Sequence, residues 1–325
     1  MSQINELSLL NYFQDQFGMT RTEKFLEKIE QVVPWHALVT RIKSSRYSIE
    51  GWVGRPRTEV IRLIKILFLQ WLYGLSDPEV EDQIKDRKSF QKFLSVSEAW
   101  DIPDETTICR FRNELVVSWM QESIFTVTQC MLTEMGFSVT TGSIQDGTII
   151  EAPKGKKRMS WAKAGTTTRD TEAWFTQKNG RTYHGYKGHI ETSEKWDAVM
   201  NTVFSSATVH DSQAQDALMN GEETCLYGDS AYGMSQNKNE WYNELGIKTE
   251  LHEKGKRGSP LTPFQKEQNR IKSSVRARVE HPFATLKTRY GNYRVRYRWM
   301  KKNAMHWFLA CALFNFEMLA RRYVS

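Results

Sequence analysis

Cysteine is scarce in this chain. Cys109, Cys130, Cys225 and Cys311 are the four present, and no two form a Cys-x-x-Cys pair. That spacing excludes a ribbon- or finger-type zinc site and offers no disulfide framework. Small buried apolar side chains are the role expected of them. The seven histidines show no His-Glu-x-x-His pattern, so a zinc hydrolase is not encoded. Long hydrophobic runs are missing too. The most apolar stretch, Ala304 to Leu319, is too short for a bilayer and carries His306, Asn315 and Glu317, so it reads as a buried helix. Met1 to Phe13 lacks the charged-then-apolar layout of a signal peptide. There is no low-complexity tract and no internal repeat. These absences point to a cytoplasmic protein with no membrane partner.

Acid is nearly absent from one segment. Between Ile271 and Lys302 the only acid is Glu280, against Lys272, Arg276, Arg278, Lys287, Arg289, Arg294, Arg296, Arg298, Lys301 and Lys302. Tyr290, Tyr293, Tyr297 and Trp299 are interleaved with them. Arginines supply phosphate contacts and aromatic rings can stack on bases, so the segment reads as a nucleic-acid surface. A solvated helix face is the plainer alternative. Lys154, Lys156, Lys157, Arg158 and Lys163 form a second basic cluster, read as a DNA-facing or merely solvated loop. The whole chain carries a net charge of +7, which agrees with a polyanionic partner.

The 325 residues, 40% hydrophobic and 26% charged, suffice for about two globular domains. Up to about Gly136 the pattern is helical. Leu63, Ile64, Leu67, Phe68, Trp71 and Leu72 recur at helical spacing between Pro56 and Gly74. Further helices are expected from Asp77 to about Asp86, from Thr106 to Leu115 with Asp104 as N-cap, and from about Trp119 to Met135. Past Gly136 strands appear: Ser143 to Ala152, Trp174 to Lys178, Arg181 to Ile190, Ala198 to Val209, Cys225 to Gly228, and Ile247 to Leu251. Asn179-Gly180 marks a hairpin. Helices are expected from His210-Asp211-Ser212 through Met219, from Asn237 to Leu245, and from Thr262 onward. This order fits an α/β fold with a mixed sheet flanked by helices, without singling one out.

Three carboxylates stand out. Asp146 lies mid-strand, on one face with Ile144 and Ile150. A charge there needs compensation, by a cation or, at an edge strand, by water. Asp229 follows an apolar strand, where ligand-binding residues sit in open α/β sheets, though an N-cap is the commonplace use. Glu280 shares a helix face with Arg276 and Lys287; a solvated ion pair is the plain alternative. Pro282 should bend that helix. Jointly the three could hold two Mg²⁺ ions about 3.5–4 Å apart, with Mn²⁺ as a substitute. Asp211 competes with Asp229 for the second position, but a helix cap is the expected role. Glu151 and Asp197 have no partner pattern.

Four stretches in order resemble the insertion-sequence transposases of the IS-five family, within the wider Asp-Asp-Glu group. They are Thr168 to Ile190, including Gly185-Tyr186-Lys187-Gly188-His189-Ile190; Val209-His210-Asp211-Ser212; Tyr227-Gly228-Asp229-Ser230-Ala231-Tyr232; and Asn269 through Glu280 to Lys287. The stretch Ile102 to Arg112 resembles the helical domain common in that group. The resemblance implies a ribonuclease H-like catalytic domain over 138–325, preceded by an all-helical domain over 1–137 that binds DNA ends. It implies Asp146, Asp229 and Glu280 as metal-binding catalytic residues. It also implies double-stranded DNA with terminal inverted repeats, and target DNA, as partners of a homodimer in the bacterial nucleoid. Arg276, Lys287, Lys187, Arg110 and Arg112 are the expected DNA contacts. One position departs from the family pattern: Ser273 stands where relatives carry Tyr. A ribonuclease H-like nuclease without strand transfer and a DNA-binding protein that has lost transposition are the alternatives.

Overall fold

The structure is a computed structural model describing residues 18–44, 58–118, 120–155, 169–178, 180–229, 236–255 and 258–323. Pro56, most of the second basic cluster and the N-terminal 17 residues lie outside them. Among the described residues, α1 (Arg21–Val32), α2 (Trp35–Lys43), α3 (Val60–Tyr73), α4 (Asp77–Asp86), α5 (Lys88–Leu94), α6 (Glu105–Val117) and α7 (Met120–Glu134) precede the first strand.

Local chemistry explains the boundaries. Thr20 with Glu23, and Ser76 with Glu79, close capping boxes at the starts of α1 and α4. Asp104 accepts the Thr107 amide at 2.6 Å, the N-cap the sequence indicated. Gly74 ends α3 at φ 68°, a left-handed conformation that glycine adopts without penalty. Helix α3 is buried on nearly every side, Lys65 and Gln70 included. Lys65 Nζ donates to Glu30 at 2.7 Å and to the Phe93 carbonyl at 3.0 Å, which makes its burial tolerable. Helix α5 was not anticipated. Its seven residues are too few to show a helical period, and it is held by burial of Phe90, Phe93 and Leu94.

The remaining elements are β1 (Ser143–Glu151), β2 (Trp174–Lys178), β3 (Arg181–Ser193), β4 (Val199–Ser206), α8 (Asp211–Leu218), β5 (Cys225–Gly228), α9 (Gln236–Glu244), β6 (Lys248–Leu251), α10 (Pro263–Thr288) and α11 (Met300–Tyr323). The six strands form one sheet in the order β2-β3-β1-β5-β6, with β4 also on β3. Strand β3 is long enough to pair with β2 through its first residues and with β4 through its later ones. The β1–β3 pair is antiparallel, while β1–β5 and β5–β6 are parallel. This mixed sheet with flanking helices is the ribonuclease H-like fold.

Helix α11 joins the sheet to the helical region. It packs on α7, α1 and β4. Phe316 meets Phe68, Phe308 meets Phe125, and His306 meets Trp71, with ring centroids 6.0–6.1 Å apart. The polar residues that interrupt its apolar run are pins. Asn315 bonds both the amide and the carbonyl of Val199 at 2.8 Å. Glu317 accepts from Tyr290 Oη at 2.7 Å and from Arg321 at 3.1 Å. His306 Nδ1 lies 2.8 Å from Asn292 Oδ1. One apolar core runs from Leu26 of α1 through Ile144 and Ile190 of the sheet to Ala320 of α11. No helix among the described residues is long and apolar enough to cross a membrane.

Gly188 of β3 lies directly against Trp307 of α11. A Cβ there would lie 2.4 Å from Trp307, whose fully buried indole is held by a 2.6 Å bond to Thr202 Oγ1. Gly188→Ala is expected to lower folding stability by about 1–3 kcal/mol through overpacking. Urea unfolding of the two proteins measures this; coincident midpoints would show that α11 can move away freely.

Candidate active site

The β1–β5 pairing positions the first two carboxylates. Ser143 pairs with Leu226 and Ile144 with Tyr227 in parallel register. Asp146 lies two residues beyond Ile144 and Asp229 two residues beyond Tyr227, so equal steps past the last pair lead to both carboxylates. Asp229 follows the end of β5, while α9 begins only at Gln236. The two carboxylates feel each other: Asp229 helps to raise the pKa of Asp146.

Asp146 is the more constrained. Its side chain is 26% exposed, and burial holds its carboxyl above the ordinary value. Three groups work against that rise: the Arg276 guanidinium, the Gly147 amide and the Lys178 ammonium. Arg276 Nη2 donates to Asp146 Oδ2 at 3.2 Å, and the Gly147 amide donates to Oδ1 at 2.7 Å. Arg276 is itself held from behind. Its Nη1 lies 3.1 Å from His252 Nδ1, and His252 Nε2 lies 3.2 Å from Ser273 Oγ. Guanidinium can only donate, so Nδ1 accepts and the imidazole is neutral with its proton on Nε2. Burial and the Arg276 charge both push the His252 pKa down, in keeping with the neutral ring. Sequence reasoning missed His252, since a lone histidine after a strand carries no pattern. Ser273, which departs from the family pattern, is thus a partner of this ring.

Helix α10 runs as one element through Pro282. At about 100° per residue, Arg276, Glu280, Phe283 and Lys287 fall within roughly 60° of its circumference. Phe283 is buried on this stripe, and Lys287 is half-buried and feels both Asp146 and Lys178. Glu280, between them along the stripe, is exposed. Among the described residues no three carboxylate, histidine or cysteine side chains gather closely enough to hold a metal ion. The structure therefore brings Asp146, Asp229, Arg276 and Lys287 together and leaves Glu280 on the adjoining surface. Two neighbouring carboxylates, one desolvated and offset by a guanidinium, suit a hard divalent cation that takes oxygen ligands.

Other expected contacts sit elsewhere. Lys187 projects from the opposite face of the sheet, donating to Asp211 at 2.9 Å and to the Val209 carbonyl at 2.8 Å. Its ammonium is committed inside the fold rather than offered to DNA. Asp211 is the first residue of α8 and the partner of Lys187; the N-cap is His210, not Asp211. Arg112 is also committed. It is buried, bridging Asp77 and Gln70, with its guanidinium 5.3 Å from the Tyr297 ring centroid. A residue so enclosed joins α6 to α4 and does not reach a groove. Arg110 is exposed on α6. Helix α4 does brace α6: Glu81 accepts the Glu105 amide at 2.8 Å, and α5 fills part of the long connection between them.

With this geometry in view, the family comparison is direct. Residues 138–316 match the model described as Transposase DDE domain, and residues 15–114 match Transposase domain (DUF772). The first match alone covers more than half of the chain, and the chain belongs to the transposase DDE-domain family. It is a DNA transposase of the insertion-sequence kind. No solved structure matches it.

The contrast between Arg110 and Arg112 is testable. Arg112→Ala strands Asp77 in a partly buried pair and is expected to cost about 3–5 kcal/mol of stability. Arg110→Ala should change stability by less than about 0.5 kcal/mol. It should weaken binding of element-end DNA by about 1–3 kcal/mol if it reads a base. Thermal unfolding and end-DNA titration of both variants separate the two roles; a stable Arg112→Ala protein with impaired DNA binding would reverse the assignment.

Proposed function

We propose that this transposase, of the IS-five type, cuts DNA at the ends of its element and joins each freed 3′-OH to target DNA. What supports the proposal is the parallel β1–β5 pairing, two residues short of Asp146 and Asp229, together with the Arg276–Asp146 ion pair that brings α10 to β1. Asp146, Asp229 and Glu280 would hold the divalent metal, with Mg²⁺ the natural choice and Mn²⁺ a substitute. When bound, a pair of such ions activates an attacking oxygen and stabilises the leaving 3′ oxygen of a phosphodiester.

The chain's own residues do the rest. Glu280 stands on the stripe of α10 that carries Arg276 and Lys287, so it needs only to turn inward from solvent. Arg276 serves as the counter-charge of Asp146 in this structure. Once that carboxylate is neutralised otherwise, its guanidinium is released for a phosphate oxygen, while His252 keeps it from swinging away. Lys287 would hold a second phosphate. Arg110, exposed on the braced helix α6, would contact the terminal inverted repeat. Two ends processed together call for a homodimer on DNA by symmetry.

Asp146→Asn, Asp229→Asn and Glu280→Gln are each expected to reduce cleavage of an end-containing duplex to background while leaving end binding within a few-fold of the parent. Nicking in Mg²⁺ and binding in EDTA give the two measurements, and a joined product with a target plasmid distinguishes transposition from simple hydrolysis. A variant that nicks at the parent rate removes that residue from the assignment.

A further inference from the structure

A cleft of about 490 Å³ opens beside Asp146. Its walls come from three places: the end of β1, the tip of the β2–β3 hairpin, and the connection between α10 and α11. The connection is fixed to β1 by two backbone bonds, Glu151 N to Tyr293 O at 3.0 Å and Val295 N to Glu151 O at 2.9 Å. Lys178 and Arg181 flank the hairpin turn opposite it, and they pair across the ladder. Lys178, Arg181, Lys287 and Arg294 thus face one cleft with Glu151 the single acid on its wall. Lys178 acts on both Asp146 and Lys287, which places the hairpin tip against the catalytic carboxylate.

Four cations converging on one cleft repel one another, and Asp146 and Glu151 are too few acids to balance them. A polyanion relieves it. Each arginine also has a tyrosine beneath it: Arg181 lies over Tyr183 with its guanidinium 5.2 Å from the ring centroid, and Arg294 over Tyr293 at 5.7 Å. Stacked guanidinium and ring faces accept nucleobases without regard to sequence. The cleft volume is that of a pocket for one small ligand, the scale of a nucleotide or two of a single strand. We infer that the cleft between the β2–β3 hairpin and the α10–α11 connection binds a single DNA strand next to the phosphodiester being cut. Lys178, Arg181 and Arg294 track its phosphates, and the tyrosine-backed arginines support its bases. The inference rests on the transposase reading and adds to it a strand-separated substrate and a role for the hairpin.

The test uses the full chain in EDTA and two fluorescent probes: a blunt element-end duplex and the same duplex with a single-stranded extension. Binding is titrated across salt. For Arg181→Ala/Arg294→Ala, the slope of log affinity against log salt on the extended probe should fall by about 1.4, since each single-strand phosphate contact contributes about 0.7. The blunt probe should change less. Arg181→Lys/Arg294→Lys should restore the slope, and Arg270→Ala, exposed on α10 outside the cleft, should leave it unchanged. An unaltered slope in the alanine variant, an equal fall on both probes, or a fall that lysine does not restore overturns the inference. Failure of the parent protein to cut end DNA in Mg²⁺ would instead sink the transposase reading, so the two failures are distinguishable.

Discussion

A carboxylate taken out of water needs positive charge or hydrogen bonds close by, and Asp146 draws on both. The Gly147 amide holds one oxygen and Arg276 of α10 the other. That ion pair ties α10 to the sheet, and α10 also carries Glu280 and Lys287. His252, in turn, restrains Arg276 from the far side, and the segment after β6 is clamped to α10. Asn269 bonds the backbone of Glu253 at both its amide and its carbonyl, at 3.0 and 2.9 Å, and Lys272 donates to the Leu251 carbonyl at 3.0 Å. Compensating one buried charge therefore fixes the relative position of β1, β6 and α10, the elements around the reacting groups.

The opposite face of the sheet solves a similar problem without leaving anything for a substrate. Lys187 and Asp211 satisfy each other, and Glu191 is enclosed with Ser143 and Asn220, its pKa raised well above the ordinary value by burial and by Glu223. Lys178, Arg181, Lys287 and Arg294, by contrast, face an open cleft. This distinguishes a lysine that binds a ligand from one that closes a fold, and it is invisible in a motif.

Much of the fold could be read from period and punctuation. The hairpin that pairs Lys178 with Arg181, the strands of the sheet and the Asp104 cap follow from rules that act over a few residues. An apolar strand with one carboxylate draws notice to Asp146 and Asp229, but an edge-strand acid and an N-cap look the same locally, and it is the resemblance to the family that singles these two out. What depended on distant partners was not legible. The commitments of Arg112 to Asp77 and of Lys187 to Asp211 join residues far apart in sequence, and an arginine on a helix looks the same whether it faces Asp77 or DNA. His252 and the short helix α5 escaped for the same reason. Glu280 is a different case. Its neighbours Arg276 and Lys287 reach the carboxylate site, and its own exposure reflects the position it holds on the edge of that face.

Helix α11 supplies Phe308 and Phe316 to the aromatic faces of Phe125 and Phe68, and His306 to Trp71. The ribosome makes α11 after the helices it covers. During synthesis the helices from α1 to α7 emerge with these faces uncovered and stay so until α11 follows, an interval in which a holdase chaperone has an obvious client. A chain interrupted before α11 would leave the aromatic faces of α3 and α7 open to water and to one another, so the first half of the sequence depends on the second for its finished surface.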